Sequence, residues 1–123
     1  MGFVIKVDDS RAFVRVTIEG DVTAEFAREF TLAADAVGKK EGIDRYLVDS
    51  RTSRNILSAS DNYYYAYREM NGMQLSRAAR SAILVDPEDK SHDFVETVSQ
   101  NAGFNVRVFR DEQEAIAWLR EKD

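Results

Sequence analysis

The sequence has no cysteine, one proline and one histidine in 123 residues. Without cysteine there is no disulfide, no thiol nucleophile and no thiolate metal site. A single histidine excludes paired-histidine metal centres and leaves His92 alone for imidazole chemistry. Long apolar runs are missing too: Ala82-Ile83-Leu84-Val85 falls far short of the roughly 20 residues a membrane helix needs. There is no basic surplus, since 17 basic and 22 acidic residues leave a net charge of −5, which argues against nucleic-acid binding. The start, Met1-Gly2-Phe3-Val4-Ile5-Lys6, has no secretory pattern, and Lys6 stands where a myristoylation signal needs Ser or Thr. No phosphate loop, Gly-x-Ser-x-Gly elbow or dinucleotide fingerprint occurs. The expectation is a cytoplasmic protein without a metal or cofactor.

What is present suffices for one domain over residues 1–123, with 44% of residues hydrophobic. Phe3 to Val7 and Phe13 to Glu19 alternate as strands around the turn residues Asp8-Asp9-Ser10-Arg11, predicting an antiparallel hairpin. Thr23 caps a helix to about Val37, with Phe26, Phe30, Ala33, Ala34 and Val37 as its apolar stripe. Arg45 to Asp49 reads as a third strand, and Arg51 to Leu57, without a clear period, as a loop. Ser58 opens a second helix, with Asp61 completing a capping box. Ser81 to Val85 is a fourth strand. Asp86-Pro87-Glu88-Asp89 predicts a helix start, with a restart at Ser91 as the other option. Asn105 to Phe109 is a fifth strand, and Asp111 with Glu114 caps a last helix that docks Ile116, Trp118 and Leu119.

The order β-β-α-β-α-β-α-β-α implies parallel pairing with right-handed crossovers. A doubly wound sheet needs strands that are apolar throughout. Here the second strand alternates cleanly, so the fold class expected is α/β: a five-stranded, mostly parallel sheet with an antiparallel first strand and helices mainly on one face. A receiver-like doubly wound fold competes through Asp8-Asp9 and Asp49, but Asp8-Asp9 falls in the hairpin and no lysine follows the fifth strand.

Several segments resemble one family. Gly20-Asp21-Val22-Thr23, Arg80-Ser81-Ala82-Ile83-Leu84-Val85-Asp86, Asn105-Val106-Arg107-Val108-Phe109 and Glu114-Ala115-Ile116-Ala117-Trp118-Leu119 are similar to the SpoIIAA-like proteins, relatives of the STAS domain and of the CRAL-TRIO lipid-exchange domain. The resemblance implies a one-sided β-α superhelix, a site near the start of the second helix and a link to membranes or apolar ligands, with peripheral membrane association as a second location. STAS anti-anti-sigma factors carry a phosphorylatable serine beside glycine at that helix start. The matching residues 50–61 hold several hydroxyls but no glycine.

The 50–61 segment follows a central strand end, where open α/β sheets place ligands. Arg51 and Arg54 with the helix start at Ser58 and Ser60 suit an anion, or form a solvated loop in which Ser58 only caps. Ser58 and Ser60 are also the phosphorylation candidates. Tyr63, Tyr64 and Tyr67 crowd the second helix and suit core and rim, a dimer interface or a pocket wall. Residues 44–80 carry six arginines against four acids, leaving −7 for the rest, which favours an anionic or lipid-like ligand over a uniformly acidic surface. His92, between Ser91 and Asp93, is expected to be a near-surface helical histidine. Asp49 and Asp86 at strand ends are the weakest candidates, for a cation or for catalysis. The functional expectation is a non-catalytic binding or regulatory module, self-associating as a homodimer or meeting a regulatory protein. A phospho-regulated switch is the alternative, and an enzyme using Asp49 comes last.

Overall fold

A computed structural model describes residues 2–72, 75 and 78–122. Arg77, counted above in the basic middle, lies outside the described residues. The elements run β1 (Gly2–Val7), β2 (Val14–Val22), α1 (Ala24–Glu41), β3 (Arg45–Asn55), α2 (Ala59–Tyr64), a π-helical turn (Tyr65–Glu69), α3 (Met70–Gly72), β4 (Arg80–Leu84), α4 (Asp93–Asn101), β5 (Asn105–Phe109) and α5 (Glu112–Arg120). The five strands lie in sequence order, β1 antiparallel to β2 and the rest parallel. This is the expected α/β class.

Alternation along the strands creates two unequal faces. On one, Val14, Val16 and Ile18 of β2 pack with Phe26, Ala27 and Ala34 of α1, and Ile83 and Val106 pack with Val98 of α4 and Ala66 and Met70 of the second helical stretch. On the other, Leu47, Ala82 and Leu84 meet Ala115, Trp118 and Leu119 of α5 alone. Its C-terminal carbonyls are held by arginines from the sheet. Arg45 donates to Leu119 O at 3.1 Å, and Arg80 donates to Trp118 O and Glu121 O at 3.0 and 2.8 Å. Cations suit that end of the helix dipole. Arg80, read from sequence as part of a basic patch, is thus an internal clamp.

Four boundaries differ from the sequence reading, the first being β2, which runs past Glu19 to Val22. α1 passes Gly38 and stops at Gly42, whose φ of 69° is the left-handed cap that glycine adopts without strain. Gly38 is needed for another reason: a Cβ there would lie 1.9 Å from Tyr46 Oη. β3 runs to Asn55 where a loop was expected, because it pairs along the whole of the long β2. α4 begins at Asp93, beyond both expected starts. Residues 86–89 close a turn instead, Asp86 accepting from Glu88 N at 3.0 Å through its carboxylate.

Candidate functional site

The missed period in β3 has a local cause. Thr17 pairs with Asp49 but Glu19 with Thr52, so Ser50 and Arg51 together oppose Ile18 in a β-bulge. Because strand side chains alternate, one extra residue moves every later side chain to the other face. Ser50 and Asn55, both buried, therefore line the same helix-covered face although five residues apart, while Arg51 turns to the opposite one. There Arg51 makes a bidentate pair with Asp49, at 2.9 and 2.7 Å, and Arg15 and Glu112 complete the network. Burial alone would raise the Asp49 carboxyl; the Arg51 hydrogen bonds and charge, with Arg15, outweigh it and hold Asp49 below its ordinary range.

Between the sheet and helices α1, α2 and α4 lies a cavity of about 170 Å³. Val16, Ile18, Ala34, Val48, Ile83 and Val106 make most of its wall apolar. Protein interiors seldom keep voids larger than a water molecule.

The roof is the second helical stretch, and the sequence shows why it holds. Ser58 caps α2 by accepting from Asp61 N at 3.1 Å. The chain then widens into the π turn, a feature frequent at functional sites. Tyr65, on that turn, lies 2.8 Å from Thr31 Oγ1 through its hydroxyl and donates to Ala27 O at 3.0 Å, tying the roof to α1. At one end of the cavity, Asn55 Nδ2 donates to Asn62 Oδ1 at 3.1 Å and Leu57 N to Asn55 Oδ1 at 3.0 Å, so the asparagines satisfy each other and the backbone.

Two wall residues are left over. Among the described residues, only Ser50 Oγ and His92 Nε2 are buried side-chain polar atoms with no hydrogen-bond partner. Ser50 is 1% exposed and His92 4%. The expectation of a near-surface histidine is overturned: the turn that replaced the helix start tucks the ring beneath it. Asn55 N donates to Ser91 Oγ at 3.1 Å, fastening this turn to the end of β3. His92 Nδ1 lies 3.3 Å from Asp89 Oδ2 and 3.3 Å from Ser91 Oγ. Burial pushes the imidazole below its ordinary value, more than Asp89 and Asp93 raise it. Burial would raise Asp89, but bonds from Ser91 and the charge of His92 bring it below. Ser50, His92 and Asp89 are the residue types of a nucleophile, base and orienting acid, but Ser50 Oγ makes no bond to the ring.

None of the seven site residues expected from sequence lines the cavity. Arg51 is held by Asp49 on the far face, Arg54 is exposed on β3, and Ser58 and Ser60 are exposed at the start of α2. Tyr63 and Tyr64 are 57% and 56% exposed, and Tyr63 stacks on Tyr67 at 4.4 Å. The expected segments were nevertheless adjacent to it: Ser50, Asn55, Leu57, Asn62 and Tyr65 all belong to the 50–61 stretch and the second helix. His92 was passed over because its burial depends on β3 extending to meet it.

No helix among the described residues is long and apolar enough to cross a membrane. The SpoIIAA-like family matches residues 13–120. An uncharacterized protein with a SpoIIAA-like fold from Shewanella loihica superposes with a TM-score of 0.61 over 96% of this chain and 93% of its own, at 19% identity. That likeness is one of fold. No curated protein matches the chain.

Proposed function

The chain belongs to the SpoIIAA-like family, and we propose that it is a non-catalytic binding module that encloses a small apolar molecule beneath its second helix. The carrying observation is the cavity itself, about 170 Å³ with a mostly apolar wall. A void of roughly 150 Å³ lined by aliphatic and aromatic side chains takes up benzene or xenon. A molecule that binds here stabilises the fold by linkage, more so as its concentration rises above its Kd. The roof then reports occupancy: Tyr65 and Leu57 line the cavity, and the exposed Tyr63 and Tyr64 lie outside it on the same helical stretch. A partner, first a second copy of this chain, would read the ligand there, in keeping with a regulatory role.

Toluene titrated into the full chain tests this by methyl NMR. Shifts concentrated at Ala34, Ile83 and Val106 are expected, with a concentration-dependent rise in Tm. No shift at these methyls up to the solubility limit refutes the reading. Hydrolysis of p-nitrophenyl acetate that disappears in Ser50→Ala would refute its non-catalytic part.

A further inference from the structure

Nδ1 of His92 faces a carboxylate, and a carboxylate without its proton can only accept hydrogen bonds. Asp89 is ionised at neutral pH, since its carboxyl lies below its ordinary range. A bare nitrogen lone pair 3.3 Å from that oxygen would be repelled, whereas Ser91 Oγ, equally close, can accept as well as donate; Nδ1 therefore carries the imidazole proton. In the neutral ring Nε2 is then a lone pair without a proton and with nothing to accept from, on a ring that belongs to the cavity lining. Ser50 Oγ, the other unpartnered atom, can donate or accept. His92 therefore sets the sign of the polar contact the cavity offers.

Resting on the cavity-binding reading above, we propose that the natural occupant is an uncharged apolar molecule whose polar group is a hydroxyl, donating its hydrogen to Nε2 of His92. A carboxylate is excluded by the same lone pair, because its oxygens have no hydrogen to offer and its charge would join that of Asp89. An ammonium group donates, but brings a full charge into a mostly apolar cavity in which the lining carboxylate Asp35 is already paired with Lys39 at 2.8 Å. A plain hydrocarbon fills the space and leaves both Nε2 and Ser50 Oγ unsatisfied. A hydroxyl meets the acceptor without a charge, and its own oxygen remains free to accept. The cavity volume sets the size at about that of a six-membered ring with one substituent, since ~150 Å³ holds benzene.

Three probes of similar shape separate these chemistries on the unaltered full chain at pH 7.5: cyclohexanol, methylcyclohexane and cyclohexanecarboxylate, each followed by methyl NMR. Once each neutral probe's affinity is corrected for its own transfer from water into hydrocarbon, cyclohexanol is expected to bind about tenfold more tightly than methylcyclohexane, the worth of one buried hydrogen bond, and the carboxylate is expected to bind more weakly than either outright. In His92→Leu the alcohol's advantage should fall to about onefold while methylcyclohexane still binds. Equal or tighter binding of methylcyclohexane to the unaltered chain after that correction, or outright preference for the carboxylate, overturns the hydroxyl assignment and leaves the cavity reading standing. Failure of both methylcyclohexane and cyclohexanol to bind overturns the cavity reading and this inference together. The comparison of probes on the unaltered chain decides the matter even if the His92 variant does not fold.

Discussion

Ala34→Leu puts the cavity to a direct test. Ala34 sits on α1, is 8% exposed and lines the void between α1 and the sheet. Leucine adds three carbons at a position where helix propensity is barely disturbed. At ~0.8 kcal/mol per buried methylene, full burial of those carbons would stabilise the fold by about 2 kcal/mol. The same change in a filled core costs about 1–3 kcal/mol through overpacking. The sign of the effect therefore reports whether space exists. A rise of about 1–2 kcal/mol in urea denaturation is expected, with toluene no longer shifting the Ile83 and Val106 methyls. Ala115→Leu is the control. Ala115 is 0% exposed in the cluster under α5, away from the cavity, and should lose about 1–3 kcal/mol. If Ala34→Leu destabilises as much as Ala115→Leu, there is no void to fill and the binding proposal loses its physical basis.

Three other perturbations follow from local geometry. Burial holds the His92 imidazole below its ordinary 6.5, so the unfolded chain takes up that proton first; the stability is present above about pH 6.5 and lost as pH falls towards the depressed native value. Urea midpoints measured from pH 7.5 to pH 5 should decline in the native chain and flatten in His92→Leu, and a parallel decline in both would show that another group titrates. Thr23→Ala removes the side chain that accepts from Phe26 N at 3.2 Å and should cost about 1 kcal/mol by thermal denaturation, whereas Thr23→Ser should cost little. Gly38→Ala places a Cβ 1.9 Å from Tyr46 Oη and 2.7 Å from Ile43 O, so Tm should fall markedly, and an unchanged Tm would contradict the close packing of α1 on β3.

Much of the fold was legible in the residues because its signals are local. Strict alternation in Val14, Val16 and Ile18, the hydroxyl and carboxylate caps at Thr23, Ser58 and Asp111, and the helical spacing of Phe26, Phe30 and Ala34 each act within a few residues. Together they determine element order, the antiparallel first strand and the crowding of helices on one face. The candidate site was legible only by neighbourhood. Residues 50–61 and the second helix do bound the cavity, but the charged and exposed members that draw attention in a sequence, Arg51, Arg54 and Tyr64, point away from it.

What the tertiary structure alone decided is which side chains share an interior. The bulge at Ser50-Arg51 reverses the alternation after it, and no local pattern announces such a reversal, since it arises from pairing with a strand some thirty residues earlier. It carries Asn55 inward and Arg51 outward, and it lengthens β3 enough for Ser91 to fasten onto it. That contact buries His92 and turns Nδ1 to Asp89. The lone histidine, which in sequence only marked how little catalytic chemistry was available, thereby becomes an unsatisfied acceptor in the wall of an apolar cavity.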